Sequence, residues 1–123
     1  NTSPYLQYAH ARICSIFRRA NVERQSVRTV TPIIEHTAER ELAMRVLQFD
    51  SAFWDTIDRY SPHRLCTYLY DLASDFSSFY EQCSVLKADS EDQRNSRLML
   101  CDLTARVMQA GLGVLGIEAP EQM

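Results

Sequence analysis

At 123 residues the chain is long enough for one compact domain with a single apolar core. Its 46% apolar and 24% charged residues argue against disorder, and only three glycines and four prolines argue against a turn-rich all-β protein. The net charge of −3 hides a split: residues 1–28 carry Arg12, Arg18, Arg19, Arg24 and Arg28 against Glu23 alone, whereas the chain from Leu65 onward is acidic. On charge alone these arginines suit either a solvated helix face or the planar, bidentate contacts that arginine makes better than lysine.

Ser3-Pro4 reads as an N-cap with proline at the first helical position, and Leu6, Ala9, Ile13, Ile16, Phe17 and Ala20 then recur at helical spacing until Asn21. Residues 21–36 are polar, β-branched and broken by Pro32, the pattern of a loop or loosely ordered linker. A second helix is predicted from Thr37 with Leu42, Val46 and Leu47, and a shorter third one, capped by Asp50 or Ser51, through Phe53, Trp54 and Ile57. Ser61-Pro62 opens a long helix that lines up Leu65, Leu69, Leu72, Phe76 and Phe79. Ser90 to Gln93 has the form of a capping box, and the last helix uses Leu98, Cys101, Ala105, Met108 and Leu112 before glycines at 111, 113 and 116 loosen and stop it. Nothing alternates with period two, so the predicted fold is all-α, a bundle of about five helices.

Chemistry is harder to find along this pattern. Cys14, Cys66, Cys83 and Cys101 form no CxxC pair and sit in apolar helical surroundings, which fits reduced cysteines of a cytoplasmic protein. No apolar run approaches the ~20 residues of a membrane span. His10, His36 and His63 lack partners at metal-ligand or dyad spacing, and no glycine-rich phosphate loop occurs, so neither a metal nor a cofactor is expected in this chain. Asp71 and Asp75 lie four apart and read as a solvated carboxylate pair.

The opening helix is more informative. At about 100° per residue, Tyr5, Tyr8, Arg12 and Arg19 fall on an arc roughly 60° wide beside the apolar stripe. Two readings fit this ridge. The rings can stack unpaired bases while the guanidinium groups take phosphates, or the tyrosines can cover the rim of the core while the arginines face water.

Three stretches carry a family resemblance. PYLQYAHARICSI resembles the helix that opens the C-terminal DALR anticodon-binding domain of arginyl-tRNA synthetases. PHRLCTYLYDLASDFSSFYEQC resembles its central helix, and SRLMLCDLTARVMQAGLGVLGIEAPEQM its last helix and Gly-Ile-x-x-Pro-x-x-Met ending. The resemblance implies a single domain over residues 1–123, a C-terminal piece of a longer synthetase whose catalytic and N-terminal domains lie outside it. It implies arginine tRNA as partner, bound through the anticodon loop, with the catalytic domain in cis, no membrane, and a monomeric state. ATP with magnesium would serve the catalytic domain only. The Tyr-x-x-Tyr-x-x-x-Arg ridge maps onto Tyr5, Tyr8 and Arg12, the late aromatic of the central helix onto Tyr80, and the terminal methionine onto Met123. Arg19 joins this set on helical geometry alone. A helical protein-interaction module that binds no nucleic acid is the rival reading.

Overall fold

The computed structural model describes residues 2–123. Five α-helices follow one another: α1 (Thr2–Ala20), α2 (Thr37–Leu47), α3 (Phe49–Arg59), α4 (Pro62–Gln82) and α5 (Glu91–Val114), with one 3₁₀ turn at Arg24–Val27 and no strand among the described residues. The two longest helices carry the core. Leu65, Leu69, Leu72, Phe76 and Phe79 of α4 and Leu98, Cys101, Ala105, Met108 and Leu112 of α5 are buried, and Leu6, Ile13, Ile16 and Phe17 of α1 complete the same cluster. Each leucine, isoleucine, phenylalanine or methionine among them contributes about 1.5–3 kcal/mol by leaving water, which makes this stripe pattern the principal reason for the fold.

Helix ends follow local chemistry. Asn21 (φ 56°) and Gly116 (φ 75°) take the left-handed conformation just beyond α1 and α5. In both cases the next N–H reaches back across the last turn, Val22 to the Phe17 carbonyl at 3.2 Å and Ile117 to that of Leu112 at 2.9 Å. Ser90 caps α5 by accepting from the Gln93 N–H at 3.1 Å. Gly111 is needed for closeness: a Cβ there would lie 2.7 Å from Leu69 Cδ2, so α4 and α5 touch through it.

Several expectations change. α1 begins at Thr2, so Ser3 and Pro4 lie inside its first turn, where proline's missing N–H would have had no helical partner. α3 begins at Phe49 after Gln48 without a side-chain cap, which leaves Asp50 in the first turn facing the positive end of the helix. His36, with no partner evident in the sequence, is the N-cap of α2: its Nδ1 accepts from the Ala38 N–H at 3.0 Å, and Glu39 reaches back to the His36 N–H at 2.7 Å. Leu47 at the end of α2 and Trp54 on α3 point outward, 75% and 57% exposed.

Residues 21–36 are a loop with one 3₁₀ turn, as the first of the two readings has it, but they are fastened against α5 and not loosely ordered. Val27 is buried, the Ile33 N–H donates to Ser96 Oγ at 2.7 Å, and Arg24 and Arg28 converge through their Nε atoms on the buried carboxylate of Asp102, at 2.8 and 3.3 Å. Arg106 adds a third guanidinium at 3.4 Å. These arginines were candidates for a solvated face; two of the five in the basic N-terminal region instead fasten the linker. Asp71 and Asp75 are also not a free pair, because Arg45 bonds Asp75 at 2.8 Å and lies 3.9 Å from Asp71.

Candidate nucleic-acid interface

α1 presents its ridge beside the chain's own tail. Tyr8, Ala11, Arg12, Ser15 and Arg18 form one side of a groove of about 330 Å³, and Gln122 and Met123 form the other. The groove exists because α1 keeps its apolar stripe on α4 and α5, which turns Tyr8 outward at 59% exposure, and because the chain after Gly116 returns along α1. Met123 is 61% exposed, so its thioether is available above the groove.

The remaining residues flagged by the sequence are placed as follows. The Arg12 guanidinium lies over the Tyr80 ring, 5.0 Å from its centroid, and Tyr80 stacks in turn on Phe76 at 6.0 Å and 13°. Tyr80 is thus half-buried and acts on Arg12, holding a long side chain that would otherwise lose rotamer freedom on binding. Tyr5 stands one turn before Tyr8 and stacks on Tyr70 of α4 at 4.9 Å and 28°. Tyr70 lines a separate cleft with His63, Cys66, Thr67 and Asp71, so the aromatic surface continues past the groove along α4. Arg19 is exposed and lines neither the groove nor the cleft beside it.

Arg18, by contrast, lines both. Sequence reasoning singled out Arg19 because it continues the Tyr8–Arg12 ridge at i+7; Arg18 is selected by the tail, whose path no helical periodicity encodes. Gln122 and Ser15 were missed for the same reason, and Tyr70 because its stack on Tyr5 depends on how α1 and α4 pack. The adjoining cleft, about 400 Å³, contains Cys14 beside Arg18 and Arg24. Burial pushes the Cys14 thiol up against the opposing pull of Arg24, so it stays protonated and acts as packing rather than as a nucleophile. Among the described residues no group of three or more His, Cys, Asp or Glu could hold a metal ion. No helix there is long and apolar enough to cross a membrane.

The first helix and the returning tail thus give an all-α bundle with an aromatic and arginine groove on its surface. Residues 6–123 match the family described as the DALR anticodon binding domain, and the chain belongs to that family. It is 46% identical over its full length to arginine–tRNA ligases of Enterobacter sp. (strain 638) and Escherichia coli (strain K12 / DH10B), of which it covers 21%. It is also similar to the solved arginyl-tRNA synthetase of Thermus thermophilus, with 36% identity and a TM-score of 0.85 over 98% of this chain and 21% of that one. The arginyl-tRNA synthetase of Plasmodium falciparum superposes with a TM-score of 0.83 at 29% identity, over 97% of this chain and 21% of its own. The chain therefore spans about one-fifth of the length of the curated relatives it matches.

Proposed function

We propose that this domain reads the anticodon loop of arginine tRNA and holds that tRNA for an arginylating catalytic domain joined to it in the longer parent protein. The observation that carries the reading is the convergence of Tyr8, Arg12 and Met123 on one groove from opposite ends of the chain. Unpaired loop bases, unlike paired ones, expose a π-face to stack and edges to bond. Tyr8 offers the stacking face, Met123 a polarizable apolar cover, and Arg12, steadied by Tyr80, a cation for the phosphate or base edge. Tyr5, paired with Tyr70, extends the platform toward the neighbouring nucleotide. Arg19, two turns beyond Arg12 on the same ridge, supplies a salt-sensitive contact to the backbone.

Bond-making lies outside this chain. ATP and magnesium fall to the parent's catalytic domain, in a monomeric cytoplasmic synthetase, and the domain here contributes positioning. Met44, Leu47, Trp54 and Ile57, left exposed on α2 and α3, favour a protein contact on that side. They suit the catalytic domain in cis, and they are also the observation behind a second reading, an interaction module without nucleic acid.

Fluorescence titration with an arginine anticodon stem-loop separates the two. Tyr8→Ala is expected to weaken binding by about 1–3 kcal/mol, the worth of one base–aromatic stack, and Tyr5→Ala by no more than that. Trp54→Ala is expected to leave RNA affinity unchanged. Stem-loop binding indifferent to Tyr8→Ala would overturn the groove as the reading surface.

A further inference from the structure

The tail that closes the groove is held in an unusual way. Three side chains of α1 grip it, each through a main-chain carbonyl. Gln7 Nε2 donates to the Glu118 carbonyl at 3.0 Å, His10 Nδ1 bonds that of Pro120 at 2.9 Å, and Arg18 Nη1 donates to that of Glu121 at 3.2 Å. Only His10 among them is buried, at 1% exposure. A carbonyl oxygen only accepts, so Nδ1 must carry the proton. Nε2 is then buried with no hydrogen-bond partner among the described residues. An unpaired buried nitrogen is costly, and an aliphatic side chain would fill the same space without that cost. What the imidazole supplies in exchange is the short bond to Pro120, with Cys14 Sγ a weaker second contact 3.9 Å from the same Nδ1.

We infer that His10 is the positioning residue of the RNA groove: a buried peg that, with Gln7 and Arg18, straps the tail to α1 and so sets Gln122 and Met123 opposite Tyr8 and Arg12. Because every bond goes to a carbonyl, the strap fixes the path of the backbone at 118–121 and not the identity of its side chains. Ile117, just before these bonds, and Ala119, between the first two, pack against the core, which leaves the tail one route. Without the peg, the groove keeps its helical wall and loses the other, and a bound base must then order the tail at the expense of affinity. The strap is a feature of the free protein; its importance for RNA rests on the proposed anticodon function.

Two measurements on the 123-residue chain test it. The chain has four methionines, Met44, Met99, Met108 and Met123, so ¹³C-methyl NMR resolves the tail directly, without RNA. His10→Leu is expected to sharpen the Met123 methyl resonance to that of a mobile terminus while the other three hold. His10→Asn, whose amide N–H can stand where Nδ1–H does, is expected to restore the broader signal of the tethered tail. Gln7→Ala, at the surface, should loosen Met123 partially and gives the same reading if His10→Leu fails to fold. In stem-loop titrations His10→Leu is expected to lose at least about tenfold in affinity, as much as a chain ending at Ile117, and to add nothing in that shortened chain. An unchanged Met123 methyl in both His10→Leu and Gln7→Ala, or a further loss from His10→Leu in the shortened chain, would overturn the strap. Failure of the unaltered chain to bind the stem-loop would instead count against the anticodon function, with the methyl spectra still deciding the strap.

Discussion

Replacing Asp102 by asparagine keeps its volume and removes the charge on which three arginines converge. Arg24 is the principal partner, its side chain 22% exposed and its Nε 2.8 Å from the carboxylate. A hydrogen bond to a charged group in such a place is worth about 2 kcal/mol. Arg28 and Arg106, 41% and 47% exposed at 3.3 and 3.4 Å, are screened by water. They deserve about 0.5 kcal/mol each. The expected loss is therefore about 3 kcal/mol. With an unfolding entropy of about 2.1 cal/mol/K per residue, a chain of 123 residues should melt about 12 °C lower. Calorimetry at pH 7 reads this directly. Amide exchange at Ile33, whose N–H is held by Ser96, should accelerate more than exchange within α4, because the lost bonds tie residues 21–36 to α5. A melting temperature lowered by less than about 3 °C, with Ile33 still protected, would refute the reasoning that this cluster anchors the linker.

Three other expectations follow from particular contacts. Burial pushes the Glu39 carboxyl up, but bonds from the His36 N–H, the Arg97 side chain and the Glu35 N–H outweigh it and hold the group below its ordinary value of 4.5. Its stabilisation is thus complete above pH 4.5 and is lost as pH falls through the lower folded value, so Glu39→Gln should flatten the acid limb of urea midpoints measured against pH. Gly111→Ala should destabilise by about 1 kcal/mol, because overpacking against Leu69 exceeds the gain in helix propensity, whereas Gly113→Ala, with open space around it, should stabilise by up to about 1 kcal/mol. Equal signs for the two in chemical denaturation would contradict the close α4–α5 approach. Arg12→Gln should lower the slope of log affinity against log salt for the stem-loop by about 1, and an unchanged slope would remove Arg12 from the phosphate contacts.

Much of this molecule was legible in its sequence because its core helices are strongly periodic. The apolar stripes of α1, α4 and α5 predicted the buried residues, and Asn21, Ser90 and Gly116 marked ends that the structure confirms. Residues 21–36 were legible as a loop, but not as a fastened one, because their order comes from Asp102 and Ser96, more than sixty residues away, and not from any local propensity. The helices carrying Leu47 and Trp54 were legible but the exposure of these side chains was not, because an apolar residue on a short helix has no intrinsic partner. The ridge of Tyr5, Tyr8 and Arg12 was visible by helical arithmetic, but its choice between core rim and nucleic-acid surface was not. Only the returning tail, fastened by bonds across more than a hundred residues of sequence, turns that ridge into a groove.

The central claim is that this groove reads an anticodon, and the most direct measurement compares two stem-loops that differ only there. One carries an arginine anticodon and the other a swapped one, on the same stem and at the same salt. Tighter binding of the arginine loop, with the preference lost in Tyr8→Ala, is the expected result. Equal binding of both loops by the folded chain would contradict it.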